Sequence, residues 1–69
     1  MKPMKVLKVN DGVYKGILMC KANESSSITS ATVTLDDGST MTMVDGSVII
    51  EVDTNARHIL YRGVWYKKQ

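Results

Sequence analysis

The stretch Ala31-Thr32-Val33-Thr34-Leu35-Asp36-Asp37-Gly38-Ser39-Thr40-Met41-Thr42-Met43 decides how the chain reads. Ala31, Val33 and Leu35 alternate with Thr32 and Thr34, and Met41 and Met43 alternate with Thr40 and Thr42. Alternation with period two marks a strand that buries one face. The connection then sets the register. A two-residue turn at Asp37-Gly38 pairs Leu35 with Thr40 and sets apolar against polar. A three-residue loop, Asp36-Asp37-Gly38, pairs Val33 with Met41, Ala31 with Met43 and Thr32 with Thr42. A slip of one residue turns a whole strand face over, so the three-residue loop is the expectation. Gly38 then takes the left-handed position that such loops require.

Working outward, Met4–Val9 reads as a first strand, closed by the turn signal Asn10-Asp11-Gly12. A second strand runs from about Val13 to Ala22, and Gly16 within it marks a bulge or a close backbone approach. Neither a two-residue nor a three-residue turn between these strands gives a clean apolar face. Asn23–Ser27 reads as a flexible loop, and Asp45-Gly46-Ser47 as the turn after the decisive hairpin. Val48–Asp53 and Arg57–Arg62 form the next pair. With Asn55 and Ala56 at its tip, Val52 faces Ile59, Ile50 faces Tyr61 and Val48 faces Gly63. That side is apolar. The opposite side holds Ile49, Glu51, Asp53, His58, Leu60 and Arg62, a mixture suited to partial cover. Val64–Lys67 closes the sheet. The expected fold is a single all-β domain over residues 1–69, a small antiparallel barrel or sandwich of about six short strands. The sheet either closes on itself, which removes exposed edges, or is completed by a second copy.

A chain of 69 residues buries only about 60% of the surface its unfolded form exposes. Small domains add disulfides, a metal or a partner chain. Cys20 is the only cysteine and His58 the only histidine, so neither an internal disulfide nor a zinc site within one chain is expected. Oligomerisation is the support left open. A lone cysteine favours a cytosolic setting over secretion. Lys2, Lys5 and Lys8 are not followed by the apolar run of a signal peptide, and nothing approaches the ~20 apolar residues of a membrane span. A net charge of +2 is too weak to imply nucleic acid by itself. Lys2, Lys5, Lys8, Lys15 and Lys21 crowd the first third, where edge strands use lysine against edge-to-edge association.

The chemistry-bearing residues point away from catalysis. His58 falls opposite Asp53 in the expected hairpin, which is half of a nucleophilic triad. The serines, however, sit in Ser25-Ser26-Ser27 with no glycine-framed elbow. The pair reads as a surface cross-strand contact. Asp36, Asp37 and Asp45 are turn residues without calcium-loop spacing. Glu51 and Asp53 share a strand face and read as solvated charges rather than a hydrolytic pair. Cys20, in the apolar run Ile17-Leu18-Met19-Cys20, reads as a buried thiol. No catalytic, metal-ligating or cofactor-binding residue is expected, and the chain is not expected to be an enzyme. Tyr61, Arg62, Trp65, Tyr66 and Lys67 are the candidate interaction surface. Aromatics among cations stack bases and hold phosphates, and they also anchor protein interfaces. The modest charge favours protein. Trp65 also suits a plug at one end of the barrel.

The C-terminal third carries a longer pattern. Gly46-Ser47 opens a strand that ends Glu51-Val52-Asp53-Thr54, and a return strand carries Tyr61, Gly63, Trp65 and Tyr66, followed by Lys67, Lys68 and Gln69. Residues 46–69 resemble the hairpin of small virion-associated proteins of tailed phages of Gram-positive bacteria. Asn55 stands where that pattern often has Gly, and Asn also tolerates the left-handed conformation. The resemblance implies a non-enzymatic structural component: head decoration, head fibre, or a head–tail or tail accessory. Its partners would be copies of itself and other virion proteins, in the virion or the host cytoplasm. The alternative is a small-barrel nucleic-acid-binding regulator or host-factor inhibitor, suggested by the N-terminal lysines and the C-terminal aromatics.

Overall fold

A computed structural model describes residues 1–68; Gln69, the last residue of the C-terminal pattern, lies outside the described residues. The strands are β1 (Lys2–Asn10), β2 (Val13–Cys20), β3 (Thr32–Thr34), β4 (Thr40–Met43), β5 (Val48–Glu51), β6 (Arg57–Tyr61) and β7 (Val64–Lys68), with one helical turn, α1 (Ala22–Ser25), after β2. The fold is all-β, a curled, barrel-like half-cylinder. The sheet has seven strands, against the expected six or so: the first strand and the short closing strand are both present as β1 and β7.

β2 is the spine. One edge carries β1, antiparallel, through the turn at Gly12. The other edge carries β4 and then β5, both parallel to β2. The sheet is therefore not antiparallel throughout, as the sequence had suggested. Gly12 and Tyr14 accept from Thr42 and Val44, and Cys20 accepts from Val52, so all of these bonds leave one edge of β2. Between β4 and β5 the chain steps away at Asp45-Gly46. Ser47, fully buried, fills the gap. Its hydroxyl accepts the Gly16 N–H at 3.3 Å, and its carbonyl accepts the Leu60 N–H at 2.9 Å. No buried side-chain polar atom among the described residues lacks a partner, as burial of polar groups demands.

The β3–β4 hairpin has the expected register, Thr32 with Thr42 and Val33 with Met41, and Gly38 sits at φ 89°. The β5–β6 hairpin does not. Val48 pairs with Ile59, Ile49 with His58 and Ile50 with Arg57. A four-residue loop, Val52–Asn55, makes the turn, closed by Glu51 N–H to Ala56 carbonyl at 2.8 Å, with Asn55 at φ 64°. The mixed side faces inward: Ile49, Glu51, His58 and Leu60 are buried, whereas Val52, Ile59 and Tyr61 are exposed. Glu51 and His58 bond each other, and that pairing makes their burial tolerable. Asn23–Ser27, expected as a flexible loop, starts within α1. Glu24 and Ser25 both donate N–H to the Lys21 carbonyl, and the Glu24 side chain is held by the Met1 ammonium at 2.6 Å. Asp36 accepts from the same ammonium at 2.5 Å.

Leu18, Cys20, Val33, Met43, Ile49 and Leu60 form the core on the concave side, with Val6, Tyr14 and Trp65 packed against it. Trp65 donates its indole N–H to the Ser30 carbonyl at 2.9 Å. The last strand is thus tied across to the segment leading into β3.

At Gly16 the backbones of β1 and β2 pass so closely that an added Cβ would sit 2.1 Å from the Lys5 carbonyl oxygen and 2.7 Å from the Val6 Cα. Both are backbone atoms, so neither yields cheaply. Gly16→Ala should destabilise the fold by at least about 2 kcal/mol. Gly63→Ala, at φ 77° with nothing within 4 Å, should lose only about 1 kcal/mol. Urea unfolding of the two variants checks the order; equal losses would refute the close approach.

Candidate functional site

Two features stand out, one buried and one exposed. The buried one centres on Glu51, 1% exposed. Its carboxylate accepts the Ser25 hydroxyl at 2.7 Å from α1 and the Thr54 hydroxyl at 2.5 Å from the β5–β6 loop. The His58 Nε2 meets it from β6, and the Lys67 ammonium stands 3.8 Å away on β7. The Ser25, Thr54 and His58 bonds, with Lys67 nearby, hold the carboxyl far below its ordinary 4.5, at about 2, against the opposing effect of burial. An ionised carboxylate only accepts, so the His58 Nε2–H is the donor in this bond. The expected partner of His58, Asp53, is instead turned to the Ala22 N–H at 3.0 Å. Glu51 and Asp53 are therefore not a pair of solvated charges.

A nucleophilic triad needs hydroxyl bonded to imidazole and imidazole to carboxylate. Here the carboxylate stands in the middle, taking bonds from Ser25 and His58 on the same oxygen. The arrangement ties one helical turn, a loop and three strands to one charge. Cys20 is buried in the same core, and burial pushes its thiol up. No group of three or more His, Cys, Asp or Glu among the described residues is disposed to hold a metal ion.

The exposed feature is the convex side of the sheet. Directly paired residues share a face. Ile17 pairs with Val48, Met19 with Ile50, Val48 with Ile59, Ile59 with Tyr66 and Tyr61 with Val64. These apolar side chains run unbroken across β2, β5, β6 and β7. Ile59, Tyr61, Val64 and Tyr66 are exposed to 41%, 54%, 50% and 57%. The candidate surface is thus divided. Tyr61 and Tyr66 lie together on the convex face, ring centroids 6.4 Å apart, with the Arg62 guanidinium 5.3 Å from the Tyr61 ring. Trp65 and Lys67 have the opposite parity, toward the core and toward Glu51. The aliphatic members Ile17, Met19, Val48, Ile50, Ile59 and Val64 were missed as site residues. Their alternation is visible in the sequence, but it reads equally as a core face.

Arg62-Gly63 is a two-residue turn between Tyr61 and Val64, with φ 51° and 77°. Turns of this hand favour Asn or Gly at the first position. A side chain as large as arginine held there costs on the order of 1 kcal/mol. The turn's second N–H, from Gly63, reaches the Asp45 carboxylate at 3.3 Å.

No family model, curated protein or solved structure matches this chain. No helix of the described residues is long and apolar enough to cross a membrane.

The depressed Glu51 carboxyl fixes a pH dependence. Stability from such a group is complete above its unfolded value and is lost as pH falls through the folded value. For Glu51 that window runs from 4.5 down to about 2. Glu51→Gln should melt below the parent at neutral pH, and the gap should close across that window. Thermal melts of both proteins at matched pH check this. Glu24 and Asp37, also held low, are common to both and cancel. A gap independent of pH would contradict the assignment.

Proposed function

We propose that this chain is a non-enzymatic assembly protein that acts through protein–protein contacts made by the convex face of β2, β5, β6 and β7. The observation that carries the reading is the unbroken apolar surface from Ile17 and Met19 to Val64 and Tyr66. Small soluble domains rarely leave so continuous an apolar patch uncovered unless something docks there. Its composition of Tyr, Met, Ile and Val with flanking arginine is that of an interface centre. The buried Glu51 cluster supports the reading from below, because it fixes the three strands that form most of the face.

The setting comes from the resemblance of residues 46–69 to virion-associated proteins of tailed phages. That segment supplies β5, β6 and β7, the strands that build most of the docking face. The proposed role is head decoration, head fibre, or a head–tail or tail accessory, with the protein in the virion or the host cytoplasm.

Replacing Ile59 and Val64 together by Ser removes two exposed apolar side chains from the middle of the face. Neither belongs to the core, so stability should change by no more than about 0.5 kcal/mol per site. Mass spectrometry of particles purified from the phage or prophage that carries the gene should find the parent chain and not the double variant. Absence of the parent chain from the particles would remove the virion role.

A further inference from the structure

The charges of this chain are sorted in a way that identifies the partner's chemistry. Each of its seven acidic side chains is already engaged inside the chain. Glu24 and Asp36 hold the Met1 ammonium, and Glu51 is saturated by Ser25, Thr54 and His58. Asp37 accepts the Ser39 hydroxyl at 2.6 Å, and Asp45 and Asp53 accept backbone N–H groups of Gly63 and Ala22. Asp11 meets Lys8 at 3.2 Å.

The cations are the reverse. Among the described lysines and arginines, only Lys8 and Lys67 have a carboxylate within 4.0 Å. Lys2 and Lys5 on β1, and Lys15 on β2, share the parity of Met19, Ile17 and Leu7, so they border the convex face on one side. Arg57 and Lys68, paired with each other, border it on the other. Arg62 stands at the tip of the β6–β7 hairpin. The one acid in β1, β2, β5, β6 and β7, Glu51, points inward. The strands of this face present an apolar field bordered by cations, with no outward acid among them.

We infer that the partner on this face is an acidic surface of a different protein, with apolar side chains set among Asp and Glu, and that Arg62 is its anchoring cation. This rests on the docking role proposed above and names the occupant. A second copy docked face to face would set cations against cations. A second copy docked head to tail would have to draw its exposed carboxylates away from partners they hold within the chain. Nucleic acid is disfavoured because the field is aliphatic except for Tyr61 and Tyr66, and bases gain from stacking on rings. The exposed Tyr61 ring already has Arg62 beside it. The backbone strain at Arg62 points the same way. A residue held against the turn's preference, when Asn or Gly would relieve it, is kept for its side chain.

The test is an unbiased one. The folded chain is used as the target for selection from a random peptide display library, and the selected pool is sequenced. Asp and Glu interleaved with apolar residues should be enriched. Arg62→Asn should raise the melting temperature while weakening the best acidic peptide about tenfold. The Ile59→Ser, Val64→Ser variant should not bind it. A selected pool without acid enrichment that still needs Ile59 and Val64 overturns the acidic partner and leaves the docking role intact. Peptides that bind the double variant equally well overturn both, and so does a pool with no binders above background. Two further outcomes sink the inference. One is a single-stranded oligothymidine that displaces the acidic peptides. The other is a light-scattering mass that shows a dimer which the double variant dissociates.

Discussion

The hydrogen bond from the Gly16 N–H to the Ser47 hydroxyl is small, but the architecture is organised around the problem it solves. β2 lies between other strands on both edges, so every peptide group along it must be satisfied inside the protein. β1 serves one edge without interruption apart from its bulges. The other edge is served in sequence by β4, by Ser47 and by β5. Where the main chain leaves the ladder at Asp45-Gly46, a side-chain oxygen replaces the missing backbone acceptor. A residue without a short side-chain acceptor at position 47 would take this partner from the part-buried Gly16 N–H. Any residue larger than glycine at position 16 would push β1 off the same strand from the other side. These two small residues let β2 act as the spine of a sheet that bends, sending β3 and β4 one way and β5, β6 and β7 the other.

How much of this was legible depends on how local the determinant is. The β3–β4 register follows from Thr and Met alternation plus the length of Asp36-Asp37-Gly38, all within thirteen residues of chain, and the structure has it. Gly16 in mid-strand signalled either a bulge or a close approach, and it is the close approach that is there, the register shifts of this pair lying at Pro3/Lys5 and Lys8/Asn10. The β5–β6 register was misread for a physical reason. Val48, Ile50, Val52, Ile59 and Tyr61 make the more apolar side, and apolar sides ordinarily turn inward. Burying Glu51 and His58 is tolerable only because each supplies the other's partner, with Ser25 and Thr54 completing the set. Ser25 is 26 residues from Glu51, so nothing in the hairpin itself reveals the compensation. The parallel pairing of β4 and β5 with β2 has the same character. It is set by long-range closure, and no local motif carries it.

That inversion links the core to the surface. Because the mixed face goes inside, the apolar face is left outside. A buried ion cluster is weak evidence for stability, since well-packed apolar residues of similar volume often do as well. What the cluster does secure is orientation. It accepts only one of the two faces of β5 and β6, and it does so through hydrogen bonds that a flipped hairpin could not make. In this protein the polar core is the device that presents Ile59, Tyr61, Val64 and Tyr66 to the outside. The candidate set of Tyr61, Arg62, Trp65, Tyr66 and Lys67 was therefore half of each feature. Trp65 and Lys67 belong to the side that fixes the hairpin, and Tyr61, Arg62 and Tyr66 to the side that is presented.

An exposed apolar sheet face carries a hazard, because identical copies can stack on it. The cation rim answers that hazard with the same residues that would recruit a partner. Lys2, Lys5, Lys15, Arg57 and Lys68 oppose their own kind at close range and attract acids. The chain's own carboxylates each have a partner within the chain, and Glu51, the one that stands on the strands that build this face, points inward. Discrimination of this type rests as much on repulsion of the wrong partner as on attraction of the right one. Arg62 fits the same logic at the cost of turn strain, since it gives up local stability to place one more cation at the open end of the face. A chain selected for stability alone would have Asn or Gly at that turn.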